Sequence, residues 1–255
     1  MTQHPPTDRL ALVLDGPGRW SSLAHVAEVG STNQVIAARA AAGAASGLVV
    51  VADHQTAGRG RLDRAWVDVP GRSLLMSVLV DAPRVPTLVP LAAGLAVADA
   101  VGAAGAAPTL KWPNDVLVDG AKCAGILVEA VGARLVVGIG VNVDWRGVSR
   151  SVEGAAWTSV AEAIGADVDR WEVAADLLGA LDRWLLAAER RPDELLGVYG
   201  SRCSTLGSTV RVATPSGALE GEAVRVDRDG ALVVRGADGE VTVRAGDVTH
   251  VRLAT

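Results

Sequence analysis

The residues best equipped for chemistry lie in one run, Asp53-His54-Gln55-Thr56-Ala57-Gly58-Arg59-Gly60-Arg61. Gly58 and Gly60 let backbone amides approach a ligand with no Cβ in the way. Arg59 and Arg61 add fixed positive charge in a planar fork that matches carboxylate and phosphate. Taken alone, the run reads equally well as a glycine turn carrying solvated arginines. Further candidates are Lys111, Lys122, Asp115 and the polar cluster Ser31-Thr32-Asn33. In isolation, Lys122 is a surface lysine and Asp115 a turn-closing aspartate. His25 and His54 read as structural histidines rather than general bases.

These groups need elements to hold them. Leu48 to Val51 is an uninterrupted apolar run, which predicts a buried strand delivering the loop at its carboxyl end. Residues 24–29 predict another strand. Ser31 with Gln34 three positions on fits a capping box, so a helix is expected there, continuing through residues 35–45. Hydroxyl and amide groups at such a helix start can hydrogen-bond a polar ligand head. Strands are predicted over 73–80, 109–111, 116–118, 123–130 and 135–143, with a small-residue helix over 88–104. Helices are predicted over 157–164, 170–190 and 192–201. In the second of these, Ala174, Leu177, Leu178, Leu181, Trp184 and Leu185 recur at helical spacing and mark a core stripe. Short strands alternating with helices predict a mixed α/β sheet. From about Thr205, five short strands separated by turns at Pro215-Ser216-Gly217, Asp229-Gly230, Asp238-Gly239 and Gly246-Asp247 predict a small β-barrel.

Five ordered segments carry a resemblance. They are Gly30-Ser31-Thr32-Asn33, Gln55-Thr56-Ala57-Gly58-Arg59-Gly60-Arg61, Lys111-Trp112-Pro113-Asn114-Asp115, Lys122-Cys123-Ala124-Gly125-Ile126-Leu127-Val128-Glu129, and Gly138-Ile139-Gly140-Val141-Asn142. In this order they resemble the biotin protein ligases, closely over about residues 25–145 and in outline beyond. The resemblance implies an α/β (α+β) fold: a class II synthetase-like catalytic domain at residues 25–204, with a mixed sheet and flanking helices. An amino-terminal tail at 1–24 would precede it, and an SH3-like barrel at 205–255 would follow. It implies biotin and ATP as substrates, Mg²⁺, biotinyl-5′-adenylate as intermediate, and a lysine of a biotin carboxyl carrier domain of a carboxylase as acceptor. The amino-terminal segment leaves no room for the winged helix that some members carry, so an enzyme-only form without DNA binding is expected.

Site residues follow from the same resemblance. Ser31, Thr32, Asn33 and Gln55 would bind the biotin head, with Gly58 and Gly125 beside it. Lys122 would meet the biotin carboxylate and the acyl-phosphate oxygens, aided by Lys111. Arg59, Gly60 and Arg61 would close over the adenylate. Trp66 would cover adenine or pack in the core, and Asn142 would touch adenine or ribose. Asp115 would hold Mg²⁺ or the incoming lysine. A lipoate or octanoate ligase of the same superfamily is the enzymatic alternative, and a nucleic-acid-binding module the alternative from another class.

Bulk properties narrow the classes. The 255 residues suffice for a large core plus a small domain. A net charge of -5 argues against a general polyanion binder. Two cysteines, Cys123 and Cys203, make neither a disulfide framework nor a metal cluster, which suits a reducing cytoplasm. The first eight residues lack the charged and apolar regions of a secretory signal, and residues 91–107 suit a packed helix better than a membrane span. No Walker A pattern occurs. There is no Phe but there are seven Trp, to which the sequence alone assigns no role.

Overall fold

The structure, a computed structural model, describes residues 10, 12–14, 16–148, 156–214, 217–244 and 247–250. Seven strands form one sheet: β1 (Ser22–Val29), β2 (Leu48–Gln55), β3 (Ser73–Asp81), β4 (Pro108–Lys111), β5 (Asp115–Val118), β6 (Ala121–Val131) and β7 (Arg134–Asn142). Their spatial order is β1-β2-β3-β7-β6-β5-β4, with β1 and β2 parallel and every other neighbour antiparallel. The helices are α1 (Thr32–Ala41), α2 (Val89–Ala103), α3 (Val160–Ile164), α4 (Arg170–Arg190) and α5 (Pro192–Arg202). A second, antiparallel sheet holds β8 (Thr209–Thr214), β9 (Gly217–Val226), β10 (Leu232–Gly236), β11 (Gly239–Val243) and β12 (Asp247–His250), in the order β11-β10-β9-β8-β12. This is the mixed α/β body and small all-β end that the sequence predicts.

The apolar run of β2 is continuous because both its faces are covered. Val49 and Val51 face the large core with α2 and α4, while Leu48 and Val50 join Ile36 and Ala40 of α1 on the other side. Helix α2 is apolar nearly all round because it packs between the sheet and α4, and almost all of it is buried. By length and composition the segment Pro86–Ala103 would also suit a membrane span.

Several expectations need correction. Residues 156–158 are not helical. They run alongside Lys122, whose N–H donates to Ala156 O (2.8 Å) and whose carbonyl accepts from Thr158 N (3.0 Å). The helix starts only at Val160, where Ser159 and Glu162 form a reciprocal capping box. The box expected at Ser31 and Gln34 does not form: Ser31 holds the N-cap backbone position, but its side chain makes no capping bond. The segment before Ala24 is not simply a tail. Leu10 and Trp20 are buried in the core, and Trp20 Nε1 donates to Leu178 O at 2.8 Å. The turn at 215–216, Gly246 and the end of the last strand at 251–253 lie outside the described residues.

The turn between β5 and its predecessor β4 seats the all-β unit. Trp112 Nε1 donates to Gly230 O and Trp112 N donates to Thr205 Oγ1, both at 3.0 Å. Gly230 has φ +78, and a Cβ there would also press on Thr87 O at 3.1 Å, so turn geometry and domain contact both demand glycine.

Candidate active site

The two-residue period of the sheet lays the floor of the site. Along β7, Val136, Gly138, Gly140 and Asn142 share one face, while Val137, Ile139 and Val141 point into the large core. The same face carries Leu75 and Ser77 of β3, and Gly125, Leu127 and Glu129 of β6. Helix α1 covers one end and Trp66 the other. A Cβ at Gly138 would collide with the Asn33 amide, and one at Gly140 would stand 2.5 Å from Trp66 Cε2. The missing side chains thus make room for Asn33 and Trp66, leaving a cavity of about 660 Å³ between them. That volume suits a small-molecule ligand.

Lys122 projects into this cavity. Its Nζ lies 2.6 Å from Asp115 Oδ1, close enough for an ion pair although the angle is not that of a hydrogen bond. The ammonium also stands 5.6 Å from the Trp66 ring and 5.3 Å from the Trp157 ring. Trp157 in turn stacks on Trp145, with 6° between the planes. Two π faces and one carboxylate orient the cation, leaving it able to meet a second anion. Lys111, across the β4–β5 ladder from Asp115, lines the same cavity. Trp66 is nine-tenths buried, and its Nε1 has no hydrogen-bond partner. An orphaned donor in a cavity wall fits a ligand that brings an acceptor.

Ser31, Thr32, Asn33 and Gln55 form the far wall. Gln55 Oε1 accepts from Thr32 N at 2.8 Å, so the strand end and the start of α1 share one polar patch. Asn33 is less free than expected. Its Nδ2 donates to Leu127 O (3.3 Å) and Glu129 Oε2 (2.6 Å), which uses both amide hydrogens.

The glycine-arginine loop folds back on itself as a small flap. Trp66 N donates to Gly58 O at 3.0 Å, Gly60 N donates to Arg64 O at 2.7 Å, and Arg59 bridges Ala65. At its tip Leu62 has φ 56 and is 63% exposed, a left-handed conformation that a branched apolar residue rarely adopts. The flap separates the inner cavity from an outer one of about 480 Å³, whose far wall includes Asp229, Gly230 and Arg244 of the all-β unit. Arg59 Nη2 donates to Glu129, and Arg61 Nη1 donates to Asn114 Oδ1 at 3.1 Å.

Three sequence assignments change. Gly58 does not line the inner cavity, and a Cβ on it would meet Trp66 O at 2.7 Å, so its glycine serves the hairpin. The Gly60 amide is already given to Arg64 O and is not open to a phosphate in this conformation. Asn142 is fully buried outside the cavity wall, with Nδ2 donating to Thr158 O at 2.9 Å. Trp157, which the sequence reading placed in a helix, stands at the cavity instead.

The histidines stay out of the cavity, as expected. His25 Nε2 lies 2.8 Å from Asp53 Oδ1, and buried Arg170 donates to the same oxygen at 2.5 Å. Burial opposes the Asp53 charge, but hydrogen bonds from His25 and Arg170 outweigh it and hold the carboxyl below its usual range. His54 Nδ1 bonds Asp68 Oδ2 at 2.9 Å, which raises the imidazole pKa. Burial pushes the Cys123 thiol up to about 12, so it is no nucleophile.

Sequence reasoning missed Ser77, Asn114, Glu129 and Trp157. Within β7 the G-x-G spacing of Gly138 and Gly140 puts both glycines on one face. Four of the seven tryptophans now have a place at the site or the domain junction: Trp66, Trp145 and Trp157 around Lys122, and Trp112 beneath the all-β unit.

Residues 27–145 match the biotin/lipoate A/B protein ligase family, and residues 205–251 match the biotin protein ligase C-terminal domain. The chain is 40% identical over 98% of its length to a biotin–[acetyl-CoA-carboxylase] ligase of Mycobacterium tuberculosis, covering 97% of that protein. It is 32% identical to the bifunctional ligase/repressor BirA of Escherichia coli, over 94% of this chain and 76% of that one. Its structure is similar to that of the Aquifex aeolicus biotin protein ligase in complex with biotin and ATP, with a TM-score of 0.82 and 29% identity. That likeness covers 92% of this chain and 100% of the other. The nearly full-length identity and both domain matches agree with the cavity just described, and this chain belongs to the biotin protein ligase family.

Proposed function

We propose that this ligase joins biotin to ATP within the inner cavity and passes the biotinyl group to a lysine of a biotin carboxyl carrier domain. One observation carries the reading: Lys122, the Arg59–Arg61 flap and the Thr32–Gln55 patch all border a single cavity. The difficulty in the first half-reaction is repulsion between anions. The biotin carboxylate, ionised at neutral pH without any base, attacks the α-phosphorus of ATP, and pyrophosphate leaves. Positive charge aligned with both reactants is what this step requires. Lys122 meets the carboxylate and the forming acyl-phosphate oxygens, while Arg59, Arg61 and Lys111 offset the phosphates. Thr32 and Gln55 hold the biotin head, and Trp66 and Trp157 flank the chain between.

In the second half-reaction the acceptor amine attacks the acyl carbonyl, and AMP leaves with the bonding electrons. The amine must be neutral to attack, and neighbouring cations lower its pKa. Asp115, already beside one ammonium, is the carboxylate best placed to receive the proton. A flap closed over the adenylate keeps water from competing.

Mg²⁺ would enter with the ATP phosphates, and Asp115 is the cavity carboxylate that would meet it, since this ion is usually held by one or two carboxylates plus substrate phosphates. A cytoplasmic location accords with buried free thiols.

The test is mass spectrometry of an isolated biotin carrier domain after incubation with this protein, biotin, ATP and Mg²⁺. A biotinyl adduct on one lysine is the expected result. A parallel incubation with lipoate or octanoate in place of biotin that gives the adduct where biotin gives none would assign the chain to the other branch of the superfamily.

A further inference from the structure

A hydrogen-bonded chain leaves the loop at Gln55 and returns to it at Arg59. Gln55 Oε1 accepts from Thr32 N and lies 3.0 Å from Thr32 Oγ1. Ser77 Oγ is 2.7 Å from Thr32 Oγ1 and 2.6 Å from Asn33 Oδ1. Asn33 Nδ2 donates to Glu129 Oε2 at 2.6 Å, and Arg59 Nη2 donates to both Glu129 oxygens at 2.9 Å. Thr32 and Gln55 line the inner cavity and Glu129 the outer one, while Arg59 lines both.

We propose that Glu129 is a positioning residue: it holds Arg59 at the boundary of the two cavities and, through Asn33 and Ser77, transmits occupation of the head pocket to that guanidinium. The proposal rests on the ligase reading above, with the biotin head at Thr32 and Gln55 and the phosphates at Arg59.

The links differ in stiffness. Ser77 is fully buried, and Thr32 and Asn33 nearly so, which makes their hydrogen bonds directional and costly to leave unmade. Asn33 has no slack, since Gly138 seats it and both ends of its amide are bonded. The last link is soft. The Arg59 and Glu129 side chains are 42% and 32% exposed, so solvent weakens the pair and the guanidinium can leave for a phosphate. Two hydroxyl protons, on Thr32 and Ser77, serve three short oxygen–oxygen contacts. A ligand bonding to Gln55 or Thr32 re-sorts those protons, and Asn33 carries the change to Glu129.

Calorimetry with a non-reactive ATP analogue, titrated with and without biotin, tests this in the parent, Glu129→Ala and Ser77→Ala. Biotin is expected to change nucleotide affinity by about fivefold or more in the parent and by less than about twofold in both variants. Ser77→Ala discriminates, because Ser77 lines neither cavity and its loss leaves the Arg59–Glu129 pair intact. Parent-like coupling in Ser77→Ala would give Glu129 a purely local role and overturn the relay, as would absence of coupling in the parent. If the parent binds no biotin, the ligase reading fails and the relay with it. Should Glu129→Ala fail to fold, Glu129→Gln keeps the volume without the charge and carries the same expectation.

Discussion

Asp115 Oδ1 and Lys122 Nζ, on paired strands β5 and β6, stand 2.6 Å apart at the edge of the inner cavity. A carboxylate supplied by the protein therefore rests where a substrate carboxylate would be drawn. Both side chains are about one-fifth exposed, so the pair is not sealed from an entering ligand. A substrate carboxylate entering the cavity can therefore compete with Asp115 for the ammonium.

Lys122→Ala should reduce adenylate formation by about 10²–10³-fold, the range seen when a group stabilising developing charge is removed. The side chain lies on the cavity side of β6, so the core is untouched and the thermal midpoint should hold. Pyrophosphate exchange is the measurement, and a near-parental rate would refute the role given to Lys122.

Arg61→Gly removes the bond to Asn114 and one cation from the flap. Loss of a charge-assisted contact worth about 1.5–3 kcal/mol should speed adenylate escape by about 10–100-fold. Release of biotinyl-adenylate into solution can be followed by chromatography. Unchanged retention would remove Arg61 from the lid.

Gly140→Ala drives a methyl toward Trp66. Overpacking of this kind costs about 1–3 kcal/mol, and Trp66 can yield only by entering the cavity. Urea denaturation should show the loss, and biotin affinity should fall in parallel. Unaltered values for both would mean that Trp66 moves freely, contrary to its burial.

Trp112→Phe leaves Gly230 O without its donor and opens a gap where the larger ring was buried. A buried acceptor left unpaired costs about 1–3 kcal/mol. Hydrogen exchange of the turn at 227–231 should quicken before that of the seven-stranded sheet. Uniform exchange across both units would show that this bond does not tie them.

His54 gives a pH dependence of known sign. Its folded pKa is raised by the hydrogen bond to Asp68, so the protonated form is favoured in the folded state. The stabilisation is complete below the unfolded value of 6.5 and is lost as pH rises through the higher folded value. The thermal midpoint should therefore decline as pH rises above that unfolded value, and His54→Gln should flatten the decline. An identical slope in the variant would rule the pair out as its source.

Local pattern settled much of this protein in advance. The apolar run of β2, the leucine stripe of α4 and the turn-punctuated strands after Thr205 are periodicities within a few residues of each other, and each formed as its spacing requires. The glycine-arginine loop and Lys122 were legible as cations near backbone that a ligand can approach. Less legible was the reason for Gly58, whose missing Cβ accommodates Trp66 O eight residues along the chain.

The sequence by itself determined which elements form and which side chains carry charge, because propensity, capping and turn chemistry act over a handful of residues. Only the tertiary structure decided who meets whom. Trp157 reaches Lys122 because an extended segment pairs with the start of β6, Asn142 is withheld because that segment covers it and Thr158 O takes its amide, and Glu129 joins Asn33 to Arg59. Such contacts depend on sheet register between residues 30 to 100 positions apart, for which a linear pattern offers no measure of distance.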